Sequence, residues 1–285
     1  MPSIGGIDLH THSSVSDGTE TPTELIEAAV EARLTAVAIT DHDSTAGWRE
    51  AFDAARGTGL LVIPGMELST NQGPASVHML AYLFDPANPS IVAETRKIRD
   101  GRMHRAERIV ERISKDYGIT WADVLAQSVD GGTIGRPHIA DALVAHGDVP
   151  DRSAAFQTIL HWRSGYYEKY YAPSPLDGVR MIVAAGGVPV LAHPATHGRY
   201  RAIDDAALKV LVDAGLFGLE IHHRDNTEEG KIRLYELARK FGLAITGSSD
   251  YHGEGKPNRL GENTTEPAVL ERLIAAGTGS HPFHG

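Results

Sequence analysis

Residues 4–18 read Ile4-Gly5-Gly6-Ile7-Asp8-Leu9-His10-Thr11-His12-Ser13-Ser14-Val15-Ser16-Asp17-Gly18, a short apolar run that closes on His-x-His and then an aspartate. Side chains two apart on a strand share a face, so His10 and His12 can reach one ion from that strand's carboxyl end. The same pattern returns along the chain. Residues 36–40 lead into Asp41-His42-Asp43, residues 60–64 into Glu67, and the run 77–84 contains His78. Further on, 188–192 leads into His193-Pro194, 218–221 precedes His222-His223, and 243–246 leads toward Asp250-Tyr251-His252. Between the first two runs, Thr21-Pro22-Thr23-Glu24 supplies an N-cap, a proline at the first helical position and a reciprocal glutamate. That predicts a helix carrying Leu25, Ala29 and Val30 inward.

Short apolar runs alternating with helices are the rhythm of β/α units around a parallel sheet. Seven candidate strands predict an α/β fold that is a TIM-like barrel or incomplete barrel; periodicity alone also allows an open doubly wound sheet. Between 95 and 172 the β rhythm stops, and helices are predicted at 96–117, 121–127, 137–146 and 153–163, with the next at 176–185. The expected organisation is therefore a barrel from 1–94 and 173–285 with an inserted helical subdomain at 95–172. On the first of those helices, Arg102, Arg105, Arg108 and Arg112 alternate with Glu107 and Glu111 and are expected to form a solvated, salt-bridged face, the alternative being that Arg102 or Arg105 turns inward to help hold nucleic acid. The tail at 281–284 is expected to be flexible.

The chain has 285 residues, 41% hydrophobic and 22% charged, an ordinary globular composition with enough length for a substantial core. Its net charge of −10 argues against coating duplex nucleic acid by phosphate neutralisation, while a small anion at one local cationic site remains compatible. There are no cysteines, so disulfides, thiolate catalysis and sulfur-ligated zinc are excluded and any metal must be held by nitrogen and oxygen. The 15 histidines outnumber Phe and Trp together, 6 and 3, which directs attention to where they sit. No signal-peptide pattern or membrane-length apolar run is present, so a cytoplasmic location is expected. No heptad or apolar interface pattern points to an obligate protein partner.

In parallel α/β architectures the carboxyl ends of the strands meet at one mouth. That would gather His10, His12, Asp17, His42, Glu67, His78, His193, Asp250 and His252. One ion needs three or four such ligands, so nine imply two or three divalent ions, and mixed imidazole and carboxylate donors suit Mn, Fe or Zn. Asp8 and Asp41 flank these residues with opposite strand parity and are expected to orient ligand imidazoles.

The segments DLHTHSSVSDG (8–18), ITDHDST (39–45), IPGMELS (63–69), VHMLAYLF (77–84), VLAHP (190–194) and SSDYH (248–252) resemble, in order, the motifs of the polymerase and histidinol phosphatase (PHP) family. The inserted GRMHRAERIVERI (101–113) and TIGRPHIADALV (133–144) are similar to its TrpH-like phosphoesterases. The resemblance implies a distorted seven-stranded barrel with a trinuclear site. It would place His10, His12, Glu67 and Asp250 on one ion. Glu67 would bridge to a second held with His78 and His193, and Asp17, His42 and His252 would hold the third. It also implies removal of phosphate from nucleoside 3′,5′-bisphosphates or 5′–3′ trimming of short RNA.

Charge arithmetic favours a phosphate ester independently. Three divalent ions would carry about six positive charges against three from Asp17, Glu67 and Asp250, an excess suited to a phosphate dianion. The expected mechanism is attack by metal-bound hydroxide with no protein nucleophile. Arg136 and His138 begin a predicted helix, where backbone N–H groups favour anions, and with Lys169 and His223 they are expected to contact a small nucleotide or oligonucleotide substrate. The alternatives are a phosphatase of another small metabolite, histidinol phosphate included, and a noncatalytic metal-binding regulatory module.

Overall fold

The computed structural model describes residues 5–73, 75–129, 132–196 and 204–285, so the first residue of the predicted run 4–9 lies outside the described residues. Seven strands follow chain order around one sheet: β1 (Ile7–Asp8), β2 (Ala36–Ile39), β3 (Leu61–Gln72), β4 (Ala75–Tyr82), β5 (Val188–Leu191), β6 (Gly218–His222) and β7 (Ala244–Gly247). Thr11 bridges Tyr251 in parallel sense, and the Thr265 N–H donates to Ile7 O at 2.9 Å, bringing the last strand back to the first. The result is a nearly closed seven-stranded barrel, and the open doubly wound sheet is set aside.

The expectation of β/α units throughout needs one correction. Strand β4 runs antiparallel to both β3 and β5, because Gln72 and Ala75 leave no room for a crossover helix between them. Strand β3 is also longer than the predicted 60–64, so Glu67 lies inside it rather than beyond its end.

Alternation along the strands sorts the core. Val37 and Ile39 of β2, with Met79 and Ala81 of β4, face helical residues such as Leu25, Val179 and Leu234. Ala36, Ala38, Leu80 and Tyr82 point the other way, into a second cluster shared with Val188 and Val190 of β5. Leu270 and Leu273 of α10 (Pro267–Ala276) complete that inner set. The period-2 geometry of strands is the reason each of these strands feeds both clusters.

Helix α1 (Pro22–Glu31) starts on the predicted capping box, with Leu25 and Ala29 buried. Val30, expected inside, is 39% exposed, because it is rotated well away from the Leu25–Ala29 face. The other barrel helices are α2 (Trp48–Ala55), α7 (Pro175–Ala184), α8 (Asp205–Asp213) and α9 (Glu228–Phe241). Helix α3 (Pro89–Ile113) begins earlier than the predicted 96, on an Asn88 cap. Its Ile91 and Ile98 pack on the barrel, whereas Ala106, Ile109, Val110 and Ile113 enter a separate apolar cluster. That cluster joins α3 to α4 (Trp121–Leu125), α5 (Arg136–His146) and the segment around α6 (Arg152–Gln157).

Two surface expectations are overturned. Arg102 and Arg105 are 8% and 7% exposed and turn inward, since the α3 face that carries them lies against the barrel mouth. The tail is ordered as β8 (Phe283–His284), antiparallel to β3, with Phe283 stacked 5.3 Å from Phe52. An apolar ring on an exposed β3 edge is a reason for that segment to pair. No helix among the described residues is long and apolar enough to cross a membrane.

Candidate metal centre

Glu67 stands at the middle of the mouth because the β2–β3 pairing carries on past the end of β2, where His42 bridges Glu67. Its Oε2 lies 3.3 Å from His10 Nε2, 3.1 Å from His12 Nε2 and 3.2 Å from His42 Nδ1. Its Oε1 lies 2.6 Å from His78 Nδ1 and 3.2 Å from His193 Nε2. Asp250 Oδ1 sits 3.5 Å from His10 Nε2 and 3.4 Å from His12 Nε2. Asp17 is 3.2 Å from His252 Nε2 and 3.7 Å from His42 Nε2. All nine side chains singled out as metal ligands are thus brought to one place. Asp43, His193 and Asp250 also hold positive φ values of 53°, 29° and 55°, strain of the kind that collects at functional sites.

The hydrogen bonds fix which imidazole nitrogen carries the proton. His10 Nδ1 lies 3.0 Å from Glu220 Oε1, so it donates there. His12 Nδ1 faces Ser16 Oγ, whose own hydrogen goes to Asp41 Oδ1 at 2.7 Å. In the neutral form that ligation requires, the two Nε2 lone pairs therefore point at one another across 3.1 Å, beside the carboxylates of Glu67 and Asp250. His252 Nδ1 donates to the Asp250 carbonyl at 2.8 Å, which aims its Nε2 lone pair at Asp17 Oδ1. Both of those atoms are buried with no hydrogen-bond partner. Acceptor facing acceptor in a buried place calls for a cation, and imidazole with carboxylate is the donor set of Mn, Fe and Zn. The residues fit divalent metal.

The titration pattern follows the same need. Burial works against charge on His10, but Glu220, Glu67 and Asp250 outweigh it and raise His10 well above the ordinary imidazole range. His12 is likewise pushed up to about 9, burial being overcome by Asp250 and Glu67. Burial, with Lys256 and His12 as neighbours, brings His252 down to about 4. Despite their own burial, Glu67 and Asp250 are held well below the carboxylate range, Glu67 by His78 and His42 and Asp250 by Lys256 and His252.

A cleft of about 670 Å³ opens onto this cluster through Asp17, His42, His78 and His252. Arg136 and Lys169, expected to contact substrate, line it. His138 does not; its Nδ1 accepts from the Gly135 N–H at 3.2 Å and caps its own helix. His223 is also misplaced by the sequence reading. It is fully buried, its Nδ1 accepts from the Asp225 N–H at 3.1 Å, and its Nε2 lies 3.5 Å from Asp250 Oδ2 without a hydrogen bond, so it packs beside a carboxylate rather than facing the cleft. Asp41 reaches His12 through Ser16, as expected of an orienting group. Asp8 instead accepts from the Ser249 and Gly261 N–H groups and holds backbone.

Several participants escaped the sequence reading. Glu220 bonds His10 and also accepts from the His193 N–H at 2.8 Å; a carboxylate inside the apolar run 218–221 was the available signal. Arg102 reaches Asp43 Oδ2 at 2.9 Å and Ser69 Oγ at 2.6 Å, and Arg105 donates to the Glu168 carbonyl at 2.8 Å, both on the cleft wall. Arg152 donates to the Asp17 carbonyl at 2.8 Å, tying α6 to a ligand loop. Lys256 lies 2.7 Å from Asp250 Oδ2.

Comparison with known proteins agrees with this geometry. The PHP domain family matches residues 8–89. A 3′,5′-nucleoside bisphosphate phosphatase of Chromobacterium violaceum is 33% identical over 279 residues, covering 95% of each chain. The chain belongs to the PHP family. The PHP relatives include the Escherichia coli 5′-3′ exoribonuclease Rnm, 32% identical over 93% of this chain and 91% of its own. Among solved PHP-like structures, a Bifidobacterium adolescentis protein assigned to the metal-dependent phosphoesterases is 44% identical over 98% of both chains, with a TM-score of 0.93. This PHP protein therefore stands among metal-dependent phosphoesterases, which are hydrolases.

Proposed function

We propose that this PHP protein hydrolyses nucleotide phosphate esters, acting as a nucleoside 3′,5′-bisphosphate 3′-phosphatase, a 5′–3′ trimming enzyme for short RNA, or both. The observation that carries the reading is a cleft whose lining combines two kinds of group. Asp17, His42, His78 and His252 of the imidazole and carboxylate cluster share it with Arg102, Arg105 and Arg136, whose guanidinium groups lie 4.9–5.6 Å from the Tyr170 or Tyr167 ring. A substrate with two phosphates suits such a cleft, one phosphate at the cluster and its neighbour among the guanidinium groups, with ring faces beside them for a nucleoside.

Two or three divalent ions, Mn, Fe or Zn, would be held as follows: one by His10, His12, Glu67 and Asp250, one by Glu67, His78 and His193, and one by Asp17, His42 and His252. When bound, such ions supply Lewis acidity toward phosphoryl oxygens and make coordinated water acidic enough to act near neutral pH. The chain's own contribution is orientation: Glu220 and Ser16 fix the His10 and His12 rings, and Glu67 presents both oxygens to five imidazoles. The insertion, taken as 95–172, serves as a cap that supplies the basic wall. The two relatives' named activities support this substrate class.

The test is phosphate release by the Mn-loaded protein from 3′-phosphoadenosine 5′-phosphate and histidinol phosphate, and mononucleotide release from a short 5′-phosphorylated RNA, with His12→Ala as control. Turnover of the bisphosphate or RNA, lost in His12→Ala, is expected. Selective turnover of histidinol phosphate would replace the proposal.

A further inference from the structure

Asp250 uses its two oxygens differently. Oδ1 faces the His10 and His12 Nε2 atoms, while Oδ2 is turned the other way, 2.7 Å from Lys256 Nζ and 3.5 Å from His223 Nε2. The His223 tautomer is set by the Asp225 N–H on its Nδ1, which leaves the hydrogen on Nε2, an atom 3.5 Å from Oδ2 but not hydrogen-bonded to it. Lys256 is therefore joined to the metal cluster through one ligand's outer oxygen.

The ammonium group does more than neutralise that oxygen. Among the described residues Asp250 is its single partner, although an ammonium has three N–H donors. Its side chain is 38% exposed and lines the cleft beside His252 and Arg152. Its loop is anchored on both sides: the Gly255 N–H donates to His252 O at 3.2 Å, and Asn258 Nδ2 donates to Ser249 O at 2.7 Å. The position of Lys256 is thus set by the same segment that carries Asp250 and His252.

We infer that Lys256 is a phosphoryl-contacting residue: tethered to Asp250 Oδ2, it directs its remaining N–H donors to an oxygen of the phosphate seated over the metal cluster. The inference rests on the phosphoesterase reading and adds a protein cation to it. A charge-assisted bond from a fixed donor favours the more highly charged phosphate without reorganisation when the substrate arrives.

Calorimetric titration of inorganic phosphate into the Mn-loaded full chain tests it, with Mn titrated into the metal-free chain alongside. Lys256→Met is expected to weaken phosphate binding about ten- to a hundredfold, the range of one hydrogen bond to a charged group. Lys256→Arg restores part of the loss. Mn affinity is retained or tightened in Lys256→Met, because removing a cation beside Asp250 favours a second cation there. Thermal unfolding checks that the variant is folded, and Lys256→Gln serves for the same comparison should Lys256→Met not fold. Phosphate affinity in the variants within about twofold of wild type at saturating Mn would overturn the role and leave Lys256 as a neutraliser of Asp250. Wild-type protein that neither binds phosphate nor releases it from any ester would instead bring down the functional reading, a failure visible before any substitution.

Discussion

His10 Nδ1 lies 3.0 Å from Glu220 Oε1, and both side chains are fully buried. The other Glu220 oxygen accepts from the His193 N–H at 2.8 Å, so one carboxylate fixes two members of the cluster. Burial opposes its charge, and His10 nonetheless keeps Glu220 below the ordinary glutamate range. A carboxylate behind a ligand imidazole orients the ring and makes it a stronger donor. Glu220→Gln is expected to fold and to lose about 10- to 100-fold in metal affinity. Metal content after dialysis and direct Mn titration measure this; wild-type affinity would remove the positioning role.

Metal binding should release protons. With His10 raised well above 6.5 and His12 raised to about 9, both rings hold protons at pH 7 in the metal-free protein. Ligation needs a free nitrogen lone pair, so metal affinity rises with pH, and continues to rise through the deprotonation of His12 near 9. Calorimetry at pH 7 in two buffers of different ionisation enthalpy should give different apparent heats. Identical heats would contradict the protonation scheme.

The Arg102–Asp43 pair is buried, with side chains 10% and 0% exposed. Arg102→Met leaves Asp43 with Ser69, whose N–H and hydroxyl each donate to it at 2.7 Å, and without its ion-pair partner. Loss of about 3–5 kcal/mol is expected. The double variant Arg102→Met with Asp43→Asn should lose less, since no buried charge is left alone; denaturant unfolding of the three proteins decides the point.

Arg136 lines the cleft with its guanidinium 5.1 Å from the Phe156 ring and 5.6 Å from Tyr167. Arg136→Ala is expected to raise KM for a nucleoside 3′,5′-bisphosphate more than for a simple aryl phosphate, because only the former offers a second phosphate. Steady-state kinetics on both substrates give the comparison, and equal changes would exclude a role in reading the extra phosphate.

The ligand-type residues were legible because most of them follow apolar runs, and the ends of neighbouring strands must meet, while Glu67 and His78 instead lie within β3 and β4. His10 and His12 follow from strand parity, and the α1 start follows from Thr21, Pro22 and Glu24, all local effects of a few adjacent residues. The inward turn of Arg102 and Arg105 was open as an alternative but not decided by the sequence. Their spacing with Glu107 and Glu111 is that of a solvated helix, and their burial comes from a barrel mouth distant in sequence. The same holds for His138 and His223: a histidine's type says that it can bind, while the backbone N–H of Gly135 or Asp225 decides which nitrogen is occupied.

Sequence alone determined the β/α rhythm, its interruption by helices and the chemistry available near the strand ends, because side-chain period and ligand type are properties of short segments. Tertiary structure decided the antiparallel β4, the pairing of the tail with β3, and the partners of Asp43, Glu220 and Lys256. The partners of Asp43 and Glu220, Arg102 and His10, lie far from them in the chain and meet them in a buried place, where a charge must find its opposite and no local pattern records which one it will be.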